Sequence, residues 1–158
     1  KFSPLGRRGG ESNVRAAGFG YRDFDWNAYM DQQNRDTLVI PMDEDFEFTE
    51  NIDEILAVPG VDAVNFGPVD YAVSRNLKVG YAMGEEVHDA FKVLVEKATP
   101  KGIGRLGPAI PPTKENIEAA IADGYNMLIL GNDMWHFQNA LRSMMADRVN
   151  PLKESYGE

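Results

Sequence analysis

The chain has no cysteine. That excludes a disulfide framework, a thiolate metal site and a cysteine nucleophile, so any metal must be held by oxygen or imidazole. Histidine is nearly absent as well: His88 and His136 stand alone among 158 residues, which makes oxygen the better donor. Positive charge is scarce, with 16 Lys and Arg against 25 Asp and Glu for a net charge of −9. Surfaces that bind nucleic-acid phosphates or anionic membranes are built on Lys and Arg, so neither partner is expected. No apolar run approaches the roughly 20 residues that a spanning helix needs, and the N-terminus carries no signal-peptide pattern. A cytoplasmic protein fits these absences. The first residue is Lys1 rather than Met, so the natural beginning of the chain is expected to lie upstream.

What is present is enough for one domain with a real core. At 43% hydrophobic and 10% aromatic the composition is globular and argues against disorder. Residues 1–20 carry Gly6, Gly9, Gly10, Gly18 and Gly20 among arginines and read as an irregular, flexible loop. Asp25 is placed to cap a short helix through Trp26, Tyr29 and Met30. An apolar strand over 37–42 follows. Thr49 or Glu50 opens a helix that buries Ile52, Ile55 and Leu56 and stops at Pro59-Gly60. The next strand, 61–66, completes a strand–helix–strand unit with short connections, the pattern of a right-handed parallel crossover.

Residues 71–84 read as irregular and polar. Val87, Phe91, Leu94 and Val95 then repeat at helical spacing, and His88 beside them reads as an ordinary boundary histidine. Gly102-Ile-Gly104-Arg-Leu-Gly107 matches G-x-G-x-x-G literally. It follows a helix and runs into Pro108, Pro111 and Pro112, whereas a dinucleotide fingerprint follows a strand and opens a helix. The segment 102–109 is therefore read as a glycine-rich strand and loop. Thr113 caps a helix with Ile117, Ala120 and Ile121 inward, closed by Gly124, and the last strand spans 126–130. Gly131-Asn132-Asp133 turns into a C-terminal helix whose Met134, Phe137, Leu141, Met144 and Met145 form one stripe, suited to a core or a subunit contact. The tail 147–158 is expected to fray.

Four strands, each followed by a helix, make half of a (β/α) barrel or an open doubly wound sheet. Four cannot close a barrel alone. The uncovered edges and faces of such a sheet lead us to expect oligomerisation. In parallel α/β folds the chemistry sits just past the C-terminal ends of the strands. Two acids occupy that position here: Glu44 after the strand 37–42, and Asp70 after the strand 61–66 and its Gly67-Pro68 turn.

Three stretches around those acids resemble the HpcH/HpaI family of metal-dependent (class II) 2-keto acid aldolases, to which the citrate-lyase β-subunit group is related. Phe2-Ser-Pro-Leu-Gly-Arg-Arg-Gly-Gly is similar to the family's Tyr-Pro-Pro-x-Gly-x-Arg-Gly segment. Glu44, followed by Glu50-Asn-Ile-Asp-Glu-Ile-Leu and Gly60-Val-Asp, resembles the metal-ligand Glu and the helix and strand that follow it. Gly67-Pro-Val-Asp70-Tyr-Ala-Val-Ser resembles its Gly-Pro-x-Asp-Leu-Ser-x-Ser loop. More loosely, Ile121 to Asp133 is similar to the family's last helix-to-strand passage.

The resemblance implies a (β/α)8 TIM-barrel type of fold, with this chain, 1–158, supplying about the last four β/α units. It implies Glu44 and Asp70 as the two protein ligands of Mg²⁺ or Mn²⁺, carboxylates being suited to hard cations. It also implies that the backbone N–H groups of Val69 and Asp70, in the turn shaped by Gly67 and Pro68, bind the substrate carboxylate. The reaction implied is carbon–carbon cleavage through a metal-bound 2-keto acid enolate of the pyruvate type, with an aldehyde as co-product. Two departures stand out. Met42 replaces a glutamine that the family places two positions before its Glu. The family's catalytic His and its enolate-stabilising Arg come from strands upstream of this segment, so the N-terminal half of the barrel is an expected partner. A hexamer-like homo-oligomer that exchanges the C-terminal segment 133–158 between subunits is implied as well. The other readings are a citrate-lyase-like acyl-CoA lyase and a non-catalytic half-barrel that acts in assembly.

Overall fold

A computed structural model describes residues 1–11, 13–20, 23–79 and 84–157. The chain divides into two compact units, Lys1–Val39 and Ile40–Glu158. In the first, Phe2 is buried, and Lys1 Nζ donates to the carbonyls of Asn34 and Thr37 at the C-terminal end of helix α1, Trp26–Asp36. That cation answers the negative end of the helix dipole. Asp25 caps the other end, its Oδ1 accepting the Ala28 N–H at 3.0 Å, as the sequence pattern requires. Trp26 packs edge to face on both Phe24 and Tyr29 beside it, and those two rings tilt against each other. Residues 15–20 form a distorted 3-10 stretch.

The second unit holds a sheet of four strands, all parallel, in the order β1 (Met42–Asp43), β2 (Ala63–Phe66), β3 (Gly104–Pro108) and β4 (Met127–Ile129). Side chains alternate across a strand. Val64 and Phe66 of β2 therefore point to one face, where they meet helices α3 (Ile52–Ile55), α4 (Pro68–Ser74), α5 (Glu85–Ala98) and α6 (Lys114–Asp123). The rings of Phe66, Phe91 and Tyr125 form a continuous stack there, at 5.3 Å and 4.0 Å between centroids. Gly107 of β3 makes the room, since a Cβ on it would overlap the Tyr125 ring. The opposite face carries the registered row Met42, Asn65, Leu106 and Met127, one residue from each strand. None of the four belongs to the helix-side core.

Several elements differ from the sequence expectation. The strand expected over 37–42 is reduced to Met42–Asp43: Pro41 has no N–H for a ladder, and its carbonyl accepts Asn65 N–H at 2.9 Å. The following helix starts earlier than Thr49, at Phe46, because Asp45 Oδ1 caps Phe48 N–H at 2.8 Å. This helix, α2 (Phe46–Glu50), breaks at Asn51 before α3. The stretch 71–84, expected to be irregular, begins inside helix α4, with residues 80–83 outside the described residues. Pro68 at the first helical position presets the backbone, and Tyr71 and Ala72 give α4 a buried side. The tail expected to fray stays helical, running from α7 (Asp133–Met144) through a π turn at Met145–Val149 into α8 (Asn150–Tyr156). The wider turn precedes Pro151, whose ring would clash with the carbonyl four residues back in a regular helix. Among the described residues no helix is long and apolar enough to cross a membrane.

Candidate active site

Glu44 is the first residue past β1. Asp70 is the third residue of α4, into which β2 runs through Gly67-Pro68. Both side chains are exposed at neighbouring strand ends. The ends are held level by two backbone bonds, from Asn65 N–H to Pro41 C=O at 2.9 Å and from Gly67 N–H to Asp43 C=O at 2.8 Å. At the junction a Cβ on Gly67 would stand 3.0 Å from Met42 Cε and 3.2 Å from Glu44 Cβ. Hydrogen in place of a side chain is thus what lets Glu44 pass so close to the Asp70 turn.

The first turn of α4 offers donors. Gly67 has no side chain with which to cap the helix, and Pro68 has no N–H. The N–H groups of Val69 and Asp70 are therefore the uncapped donors, at the end of the helix where anions are favoured.

A layer of contacts lies behind the acids. Asp43 is fully buried on the helix side of β1. Its Oδ1 accepts the Thr49 hydroxyl at 3.2 Å, and its Oδ2 has no partner among the described residues. Burial pushes this carboxyl up to about 7, with the Thr49 bond pulling the other way and the Asp45 charge adding to the rise. Ser74 Oγ accepts the Phe46 N–H at 3.2 Å and donates to the Tyr71 carbonyl at 2.8 Å. Arg75 lies over the Phe46 ring, 5.5 Å from its centroid, and pairs with Glu86.

The two histidines stand apart in role: His88 is half-buried on α5, and His136 is exposed on α7 beside Trp135. Among the described residues no three Asp, Glu or His side chains form a cluster that could hold a metal. Glu44 and Asp70 are the exposed acids on either side of the Gly67 junction. Sequence reasoning missed the burial of Asp43 and the contact that Ser74 makes with Phe46. Strand alternation could have separated Asp43 from its neighbours, because Met42 and Glu44 must share a face that Asp43 does not. Nothing in the sequence marks Ser74 as the partner of a residue 28 positions away.

Residues 11–140 match the profile of the family described as HpcH/HpaI aldolase/citrate lyase. The chain belongs to that family. Among curated family members it is 32% identical, over 99% of its length and 58% of the relative's, to 2-keto-3-deoxy-L-rhamnonate aldolase of Salmonella dublin. It is 29% identical, over 96% of its length and 54% of the relative's, to 2-dehydro-3,6-dideoxy-6-sulfogluconate aldolase of Pseudomonas putida. A solved HpcH/HpaI aldolase from Desulfitobacterium hafniense DCB-2 superposes with a TM-score of 0.71 at 28% identity, covering 98% of this chain and 56% of that one. The chain thus spans little more than half the length of the relatives it matches. Its parallel sheet is an arc of the family's TIM-barrel type of fold.

Proposed function

We propose that the complete protein is a divalent-cation-dependent carbon–carbon lyase, an aldolase that splits a 2-keto acid into pyruvate and an aldehyde. One observation carries the reading. Glu44 and Asp70 sit on adjacent strand ends that the Gly67–Asp43 backbone bond ties together, as an acid pair at the C-terminal side of a parallel sheet should. Family membership supports it, and relatives named as aldolases of 2-keto sugar acids favour free keto acids over acyl-CoA esters as substrates.

The donor set suits a hard cation. Two exposed carboxylates leave positions open for water and substrate, and Gly67 keeps side-chain bulk away from Glu44. Glu44 and Asp70 would hold Mg²⁺ or Mn²⁺, which when bound supplies Lewis acidity toward the keto acid. The Val69 and Asp70 N–H groups receive the substrate carboxylate at the start of α4, and Gly67-Pro68 fixes the turn that presents them. Cleavage moves the C3–C4 bonding pair onto C3 and toward the ketone oxygen while a base takes the C4 hydroxyl proton. The aldehyde leaves, and protonation of C3 completes pyruvate. The resemblance to the family's pattern implies that the base and a cationic partner for the ketone oxygen, a His and an Arg, belong to the N-terminal half of the barrel; neither His88 nor His136 lies in a matching context. Subunit assembly is part of the proposal. The exposed stripe of α7 is its contact, in a hexamer-like homo-oligomer.

The test uses the complete protein stripped with a chelator. Adding back Mn²⁺ or Mg²⁺ restores pyruvate release from a 2-keto-3-deoxy sugar acid, and Glu44→Ala or Asp70→Ala abolishes it. Undiminished turnover by the chelated protein overturns the reading.

A further inference from the structure

The Glu44 and Asp70 segments belong to different elements, and two backbone-level ties join them. The first, from Gly67 N–H to the Asp43 carbonyl, is the regular continuation of the β1–β2 ladder. The second is irregular. Phe46, two residues beyond Glu44, begins α2, and its N–H is one of the donors that a helix start leaves without an internal partner. The Asp45 carboxylate caps Phe48 rather than Phe46. The Phe46 donor is met instead by Ser74 Oγ at 3.2 Å, from the residue one turn beyond Asp70 on α4. Ser74 in turn donates to the Tyr71 carbonyl at 2.8 Å, so one lone pair and the proton of its hydroxyl are each directed by a neighbour. The Arg75 guanidinium over the Phe46 ring closes the same contact from the solvent side. A single hydroxyl therefore spans from the segment carrying one acid to the segment carrying the other.

We propose that Ser74 is a positioning residue for the acid pair: its hydroxyl sets the separation of the Glu44 and Asp70 segments and, through it, the affinity of the cation site. The proposal rests on the metal-site reading above, and its test keeps the two apart. A carboxylate pair binds a cation well only when both reach it at once, and a bond whose loss frees one segment lowers affinity without removing a ligand.

The experiment titrates the metal-free complete protein with Mn²⁺ by calorimetry and follows thermal unfolding in chelator. Ser74→Ala removes the acceptor, and alanine's better helix propensity offsets part of the lost bond in the unliganded protein. Mn²⁺ binding is expected to weaken by at least about threefold, the factor matching one modest hydrogen bond. The unfolding midpoint in chelator should stay close to that of the native sequence. Ser74→Thr keeps the hydroxyl and should restore affinity. Should Ser74→Ala lose its cooperative transition, Ser74→Cys replaces it, a near-isostere whose sulfur is a weak acceptor. A smaller loss than threefold, or equal losses in the Ala and Thr variants, overturns the proposal. Glu44→Gln and Asp70→Asn decide the reading beneath it: if both still bind Mn²⁺ as the native protein does, the metal site itself fails, whatever Ser74 does.

Discussion

The N–H of Gly67 donates to the carbonyl of Asp43 at 2.8 Å, and the Glu44 side chain leaves the backbone beside it, 3.2 Å from where a Gly67 Cβ would stand. Gly67 has φ −103°, which any residue adopts, so its identity answers to space rather than to backbone freedom. Gly67→Ala is therefore expected to push Glu44 and Met42 aside. Met42 can yield through its flexible end, but Glu44 cannot move its Cβ without moving the strand end. The expected result is a loss of roughly 1 kcal/mol or more in unfolding free energy, at the lower end of overpacking costs, together with weaker Mn²⁺ binding. Calorimetric titration with native-like affinity would show that Glu44 is not confined here.

Asp43 predicts a pH dependence of stability. Its carboxyl is raised from 3.8 to about 7 by burial. Between those values the folded protein keeps a proton that the unfolded chain has released, so stability falls as pH rises through this window and levels off above it. The drop attributable to this group is at most about 4 kcal/mol. Asp43→Asn removes it. Denaturant unfolding in chelator, compared at pH 5 and pH 8, should show the variant gaining on the native protein as pH rises. An unchanged difference between the two would place the Asp43 titration elsewhere.

The architecture was legible where periodicity and punctuation agree. Val87, Phe91 and Leu94 announced α5, Thr113 and Gly124 bracketed α6, and the segment 102–109, read as a glycine-rich strand and loop, holds β3 with Gly104 and Gly107 in it. Glu44 and Asp70 could be picked as strand-end acids because each follows an apolar run. What was not legible depends on partners far along the chain. The burial of Asp43 is set by which face of β1 meets the helices, and α4 was hidden because Pro68-Val-Asp-Tyr-Ala carries little apolar period. The bond from Phe46 to Ser74 exists only once β1 and β2 lie side by side.

Gly107 offers a test of the helix-side core. Tyr125 occupies the space that a Cβ would need and stacks on Phe91 at 4.0 Å. Gly107→Ala must displace either the ring or strand β3. A loss of roughly 2–3 kcal/mol is expected, the upper part of the overpacking range. Because Tyr125 lies on the helix side, away from Glu44 and Asp70, Mn²⁺ affinity of the folded fraction should remain native-like. Thermal unfolding and the same titration check both halves of the statement.

The stripe of α7 gives the last prediction. Met134 and Phe137 are 69% and 65% exposed, with Leu141, Met144 and Met145 beyond them on the same helix and its π turn. A row of large apolar side chains left open to water is a contact surface more than a solvated face, and methionines adapt to whatever shape covers them. Replacing the centre of the row with charge, as Phe137→Glu combined with Met134→Glu, would bury an unpaired carboxylate in any interface formed there, at a cost of several kcal/mol. The double variant is expected to sediment as a smaller species than the native protein at equal concentration, with the far-UV spectrum of the fold retained. A native assembly that is unchanged by both charges would mean that the stripe is not the subunit contact.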